Sequence, residues 1–275
     1  VLQTTNAILE NSTLKEDLEL NQYDLCAVFI ACAIHDFQHP GLNNTYLINS
    51  HDDIAITYND ISVLENYHVS TAFKVLQRRD SDIFSELKPE VVRVMRKRMI
   101  ECVLATDMVK HGKHVESIGK IIDNMKALKE DTNSTKSIAK LHIENGKESN
   151  KFERQQEILS FIVHSSDVSN TGKEWSICKE WTRILMIEFF AQGDLEKQQN
   201  LPVSFLCDRE TTNIPSCQIV FIQNVIRPCF GLLKELAPCA NYYYENTEKN
   251  INNWKEIKEL LDKDPKYVIF ESTEI

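Results

Sequence analysis

The sequence predicts an all-α fold, a compact bundle of many helices. Glycine and proline, seven of each, make up about 5% of the 275 residues against a usual share of roughly 12%, which disfavours a sandwich or barrel of many short strands. Seven stretches carry apolar residues at helical spacing, and none alternates long enough to argue for a sheet. A 42% hydrophobic and 26% charged composition supplies a real core and excludes disorder for most of the chain.

The predicted helices are Tyr23–Ile34, Ser62–Gln77, Pro89–Thr106, Phe152–His164, Glu174–Gln192, Cys217–Leu236 and Asn250–Leu261. The first is the apolar run Cys26-Ala-Val-Phe-Ile-Ala-Cys32, stopped by Pro40-Gly41. Pro89 suits a first helical turn, whereas Pro228 inside the sixth helix predicts a kink or break. On the third, Arg93, Arg96, Lys97 and Arg98 alternate with apolar residues and are expected to form a solvated face, with phosphate steering as the lesser alternative. The polar stretch near 129–151 reads as a loop or insertion within a single domain spanning 1–275, and no internal repeat appears.

Thirty-one basic against 41 acidic residues give a net charge of −10, which argues against a broad basic face for nucleic acid. Eight cysteines without a C-x-x-C pair, several inside apolar runs, fit buried free thiols in a reducing compartment. The run Leu25–Ile34 is about half of what a bilayer needs, and the first residues lack the basic start and apolar stretch of a signal peptide. A cytoplasmic domain without membrane contact in this segment is the expectation.

The chemistry concentrates at polar endings of apolar helices. His35-Asp36-Phe37-Gln38-His39-Pro40-Gly41 closes the first helix, and His164-Ser165-Ser166-Asp167 closes the fourth. Imidazole and carboxylate are good ligands for divalent metals, so two helix ends can meet at one metal site. The alternative from spacing alone is a His35–Asp36 capping pair with Asp167 as an ordinary N-cap. Glu65 and His68, three apart on an otherwise apolar helix, suit partners that hold metal-bound water. His111 and His114, beside Lys110 and Lys113, are expected as surface histidines at a helix end.

Five ordered motifs carry a resemblance: His35-Asp36-x-x-His39-Pro40-Gly41, Tyr58-Asn59-Asp60-x-Ser62-Val63-Leu64-Glu65-Asn66-x-His68, Ala105-Thr106-Asp107-Met108, Asp167-x-Ser169-Asn170 and Glu188-Phe189-Phe190-x-Gln192-Gly193-Asp194. Over Val1 to about Trp254 the chain resembles the catalytic domain of class I 3′,5′-cyclic nucleotide phosphodiesterases. The resemblance implies three helical subdomains and hydrolysis of a cyclic nucleotide, cAMP favoured over cGMP, to the 5′-monophosphate. It implies Zn²⁺ held by His35, Asp36 and Asp167, and Mg²⁺, with Mn²⁺ open, sharing Asp36. His39, Asn44, Glu65 and Thr106 match groups around the second metal's waters. Gln218 matches the glutamine that binds the base, Phe221 and Leu185 its apolar clamp, and Asn170 and Phe189 further substrate contacts.

By the same resemblance, the histidine acting as general acid and one zinc-binding histidine fall upstream of Val1, so the chain is expected to lack its first helices, with regulatory domains outside it. Cys178 stands where cAMP-selective members often have tyrosine, leaving nucleotide preference open, and a homodimer is equally open. Two other function classes stay in view: a catalytically silent helical module binding cyclic nucleotide or protein, and another nucleotide hydrolase of the His-Asp superfamily.

Overall fold

A computed structural model describes residues 1–132 and 148–270. Its helices are α1 (Leu2–Glu10), α2 (Leu14–Asp17), α3 (Gln22–Ile34), α4 (Asn44–Asn49), α5 (Asp53–Thr57), α6 (Val63–Leu76), α7 (Pro89–Leu104), α8 (His111–Thr132), α9 (Glu148–Asp167), α10 (Trp175–Gln198), α11 (Ile214–Phe221), α12 (Arg227–Leu236) and α13 (Asn241–Lys263). No strand occurs among the described residues, as an all-α fold requires. The centre of the polar stretch near 129–151, with His142, lies outside the described residues.

The chain divides into two units: Val1–Gln38, Glu65–Val168 and Cys229–Asn241 in the first, His39–Leu64, Ser169–Pro228 and Tyr242–Ile275 in the second. In the first, α3 packs against α1, α7 and α9. Asn21 starts α3 with a capping box: its side chain accepts from the Asp24 amide, and the Asp24 carboxylate accepts from the Asn21 amide. Ala27, Val28, Ala31 and Cys32 are buried, while Cys26, expected in the core, is exposed.

On α7 the buried residues Met95, Arg98, Met99, Cys102 and Val103 follow the helical period. Arg98 therefore departs from the expected solvated face. It is 1% exposed and ion-paired with Asp24 at 2.8 Å, with Gln155 and Gln156 accepting from its terminal nitrogens. Arg93, Arg96 and Lys97 do face solvent.

In the second unit, Tyr46, Leu47, Ala55, Val63 and Leu64 form one apolar cluster. Helix α13 buries Tyr243, Asn246, Thr247, Asn250, Ile251, Trp254 and Ile257, with Trp254 meeting Trp175 edge-on at 4.9 Å. The break expected at Pro228 takes the form of a π turn over Ile222–Ile226 between α11 and α12. Proline has no N–H and its ring crowds the carbonyl four residues back, so the preceding turn widens. By length and composition alone the run Ile214–Leu236 is apolar enough to cross a membrane, a property it shares with core helices.

Candidate active site

The polar endings of α3 and α9 bring three potential metal ligands together in the first unit. His35 directs Nε2 to Asp36 Oδ2 at 3.1 Å and to Asp167 Oδ1 at 3.3 Å. One ligand atom from each residue lies within 4.8 Å of the others. The His35 tautomer is fixed from behind, because Nδ1 donates to the Cys32 carbonyl at 2.9 Å one turn earlier on α3.

With Nδ1–H spent on a carbonyl, a neutral His35 turns a lone pair toward two carboxylates, the exposed Asp36 and the more buried Asp167. Burial alone would lower the His35 pKa, yet the hydrogen bonds and charges of Asp167 and Asp36 outweigh it and raise it to about 10. A proton thus stands where a cation would fit. One imidazole nitrogen and two carboxylates on fixed helix ends fit a divalent metal. They form a converging group, with His35 also standing at the C-cap of α3 beside Asp36.

His68 flanks this group, only 2% exposed, with Nε2 3.9 Å from Asp36 Oδ1 and Nδ1 on the Phe37 carbonyl at 2.8 Å. Glu65 lies half-buried in the first turn of α6. Thr106 is buried just past α7, its hydroxyl donating to the Val103 carbonyl at 2.8 Å, and Asp107 caps the next turn through the Val109 amide.

His111 and His114 depart from their expected surface placement: they are half-buried at the start of α8 against the fully buried His164. His111 Nδ1 meets His164 Nε2 at 2.9 Å, and His164 Nδ1 the Ala105 carbonyl at 2.9 Å. Spacing misled because His111 and His114 sit among Lys110, Gly112 and Lys113, which read as a solvated helix end.

The remaining candidates belong to the second unit. His39 is exposed, its Nδ1 accepting from the Gly41 amide at 3.0 Å in a turn where Gly41 adopts φ 75°. Asn44 accepts from the Leu64 amide at 2.9 Å and so helps start α6. Leu185 and Phe189, four apart on α10, share a helix face, as do Gln218 and Phe221 on α11. Gln218 is 7% exposed, the other three half-buried. Cys178 is fully buried, and burial pushes its thiol up to about 12.

Sequence reading missed the clamp on the segment that carries Asn170. Asn250 Nδ2 donates to the Thr171 and Lys173 carbonyls at 2.8 and 2.9 Å, and Asn246 Nδ2 to the Gly172 carbonyl at 3.3 Å. Their signal was available: two asparagines four apart, inside the apolar face of α13, must satisfy their amides on something.

Comparison with known proteins places these residues in a family. The chain is 35% identical over 254 residues to 3′,5′-cyclic-AMP phosphodiesterase 4C of Rattus norvegicus, covering 91% of this chain and 44% of that protein. It is 32% identical over 262 residues to dual specificity calcium/calmodulin-dependent 3′,5′-cyclic nucleotide phosphodiesterase 1B of Bos taurus, covering 92% and 44%. The chain thus spans less than half the length of these relatives. The crystal structure of the phosphodiesterase domain of the RhoPDE fusion protein from the choanoflagellate Salpingoeca rosetta matches with a TM-score of 0.81 at 26% identity, over 95% of this chain and 76% of that one. Since the family profile matches residues 1–247, a stretch holding every candidate residue above, the chain belongs to the 3′5′-cyclic nucleotide phosphodiesterase family.

Proposed function

We propose that this chain provides the metal-dependent centre that hydrolyses a 3′,5′-cyclic nucleotide, cAMP in preference to cGMP, to the nucleoside 5′-monophosphate. The observation that carries it is the convergence of His35 Nε2 with the Asp36 and Asp167 carboxylates, one ligand atom of each within 4.8 Å of the others, in a member of this family. The relatives' names support the substrate class, one specifying cyclic AMP and the other dual specificity. Residues 1–275 act here as a single catalytic domain of a cytoplasmic protein.

His35, Asp36 and Asp167 would hold Zn²⁺, with Asp36 also serving Mg²⁺ or Mn²⁺. When bound, these ions supply Lewis-acid activation of water and neutralise charge developing on the phosphoryl oxygens. His39, Asn44, Glu65 and Thr106 match the family's groups that would hold the waters of the second ion. Gln218 offers its amide to the base edge, Leu185 and Phe221 offer apolar faces to the ring, and Phe189 and Asn170 complete the nucleotide contacts.

The test is release of 5′-monophosphate from cAMP and cGMP by the full-length protein with Zn²⁺ and Mg²⁺. Turnover that chelation abolishes, with the larger kcat/KM for cAMP, is expected. A folded, metal-loaded protein that turns over neither nucleotide overturns the assignment and favours a silent binding module.

A further inference from the structure

The end of α7 is tied down carbonyl by carbonyl. The last turn of a helix leaves its C=O groups without intrahelical partners. Here Val103 O accepts from the Thr106 hydroxyl, Leu104 O from Lys110 Nζ at 2.7 Å, and Ala105 O from His164 Nδ1. The third tie differs from the others, because its donor comes from another helix. His164 lies on α9 one turn before Asp167, so a single imidazole joins the backbone at Ala105, directly before Thr106, to the helix that carries Asp167.

The orientation of that imidazole is itself fixed. Since Nδ1–H goes to a carbonyl, Nε2 of the neutral ring accepts, and His111 Nδ1–H supplies the donor. Burial and the neighbouring His111 charge lower the His164 pKa and keep the ring neutral. Neither histidine belongs to the converging group around His35, and neither has a role in the proposed hydrolysis.

We infer that His164, oriented by His111, is a positioning residue that fixes Thr106 in register with Asp167. This rests on the proposed hydrolytic role of both residues. A shift of about 1 Å in such a group costs up to about 10²-fold in rate, which is the scale expected when the tie is cut.

The test reads kcat, KM, metal content and amide hydrogen exchange of residues 103–110 in the full-length protein. His164→Ala is expected to lower kcat about ten- to a hundredfold, to leave KM and metal stoichiometry unchanged and to speed exchange at Thr106. His164→Asn, whose amide can donate to the Ala105 carbonyl, is expected to recover most of both. Wild-type kcat in His164→Ala, or no recovery in His164→Asn, overturns the inference, as does metal loss in proportion to kcat. If His164→Ala does not fold, His111→Ala at its half-buried position decides: an unchanged kcat with unchanged exchange at Thr106 overturns it. If the wild type itself lacks turnover, the hydrolase assignment fails, while exchange at Thr106 still tests the tie.

Discussion

His35 holds Nε2 3.3 Å from Asp167 Oδ1 while the Cys32 carbonyl holds the opposite ring nitrogen. The imidazole cannot turn away without breaking one of these contacts, so Asp167 faces a fixed donor. Asp167→Ala should therefore lower zinc affinity by more than the roughly 10–100-fold typical of losing an outer-shell partner. Helical content should persist, because Asp167 is the last residue of α9 and its loss removes no turn of the helix. Zinc titration beside far-ultraviolet circular dichroism checks this, and undiminished zinc affinity would remove Asp167 from the ligand set.

Arg98 and Asp24 test the core of the first unit. Arg98→Met leaves the 6% exposed Asp24 carboxylate without its cation, which costs about 3–5 kcal/mol for a buried pair broken on one side. Adding Asp24→Leu removes the stranded charge and should return most of that loss, less about 1 kcal/mol for the capping box at Asn21. Urea denaturation of the two single variants and the double variant reads the coupling, and additive effects would show that the pair is not coupled.

Gly193 tests how the loop after α10 is held. A Cβ built there lies 1.8 Å from the Cys207 carbonyl oxygen, a backbone atom that cannot rotate aside. Nearby, the fully buried Glu196 accepts from the Ser204 amide at 2.7 Å and the Ser204 hydroxyl at 2.5 Å. Gly193→Ala should destabilise by about 1–3 kcal/mol, the usual cost of overpacking, and limited proteolysis should cut sooner near residues 204–210. Unchanged cleavage there would mean that the loop moves away from α10 at little cost.

These residues also show what the sequence made legible. The strongly apolar helices were readable because each buries a continuous stripe, and α7 begins where Pro89 announces it, whereas the Asn21 cap of α3 went unread. Helices α1, α2, α4 and α5 were missed, being too short for periodicity to register, and α8 was passed over although it is as amphipathic as α7. The endings at His35-Asp36 and Asp167 stood out because polar ligands close apolar helices. Spacing along the chain could not bring them within 4.8 Å of one another, since that depends on how α3 packs against α9. Arg98 misled for the opposite reason: a buried arginine looks like its solvated neighbours until Asp24 is brought opposite it.

The histidines of α8 and α9 set an acid limit on stability. Burial, reinforced by the charges of His164, Lys110, His111 and Lys113, lowers the His114 pKa from 6.5 to about 4, and its buried Nε2 has no hydrogen-bond partner. Between these values the unfolded chain binds a proton that the folded chain refuses, so stability is full above pH 6.5 and falls as pH drops toward 4. His35 without metal acts in a different window: raised to about 10, it adds stability as pH falls from 10 to 6.5 and contributes no further change below that. Stability measured by urea from pH 7 to 5, above most carboxylate titrations, should decline in the wild type. His114→Asn should flatten this decline, and an equally steep decline in that variant would assign the acid sensitivity to other groups.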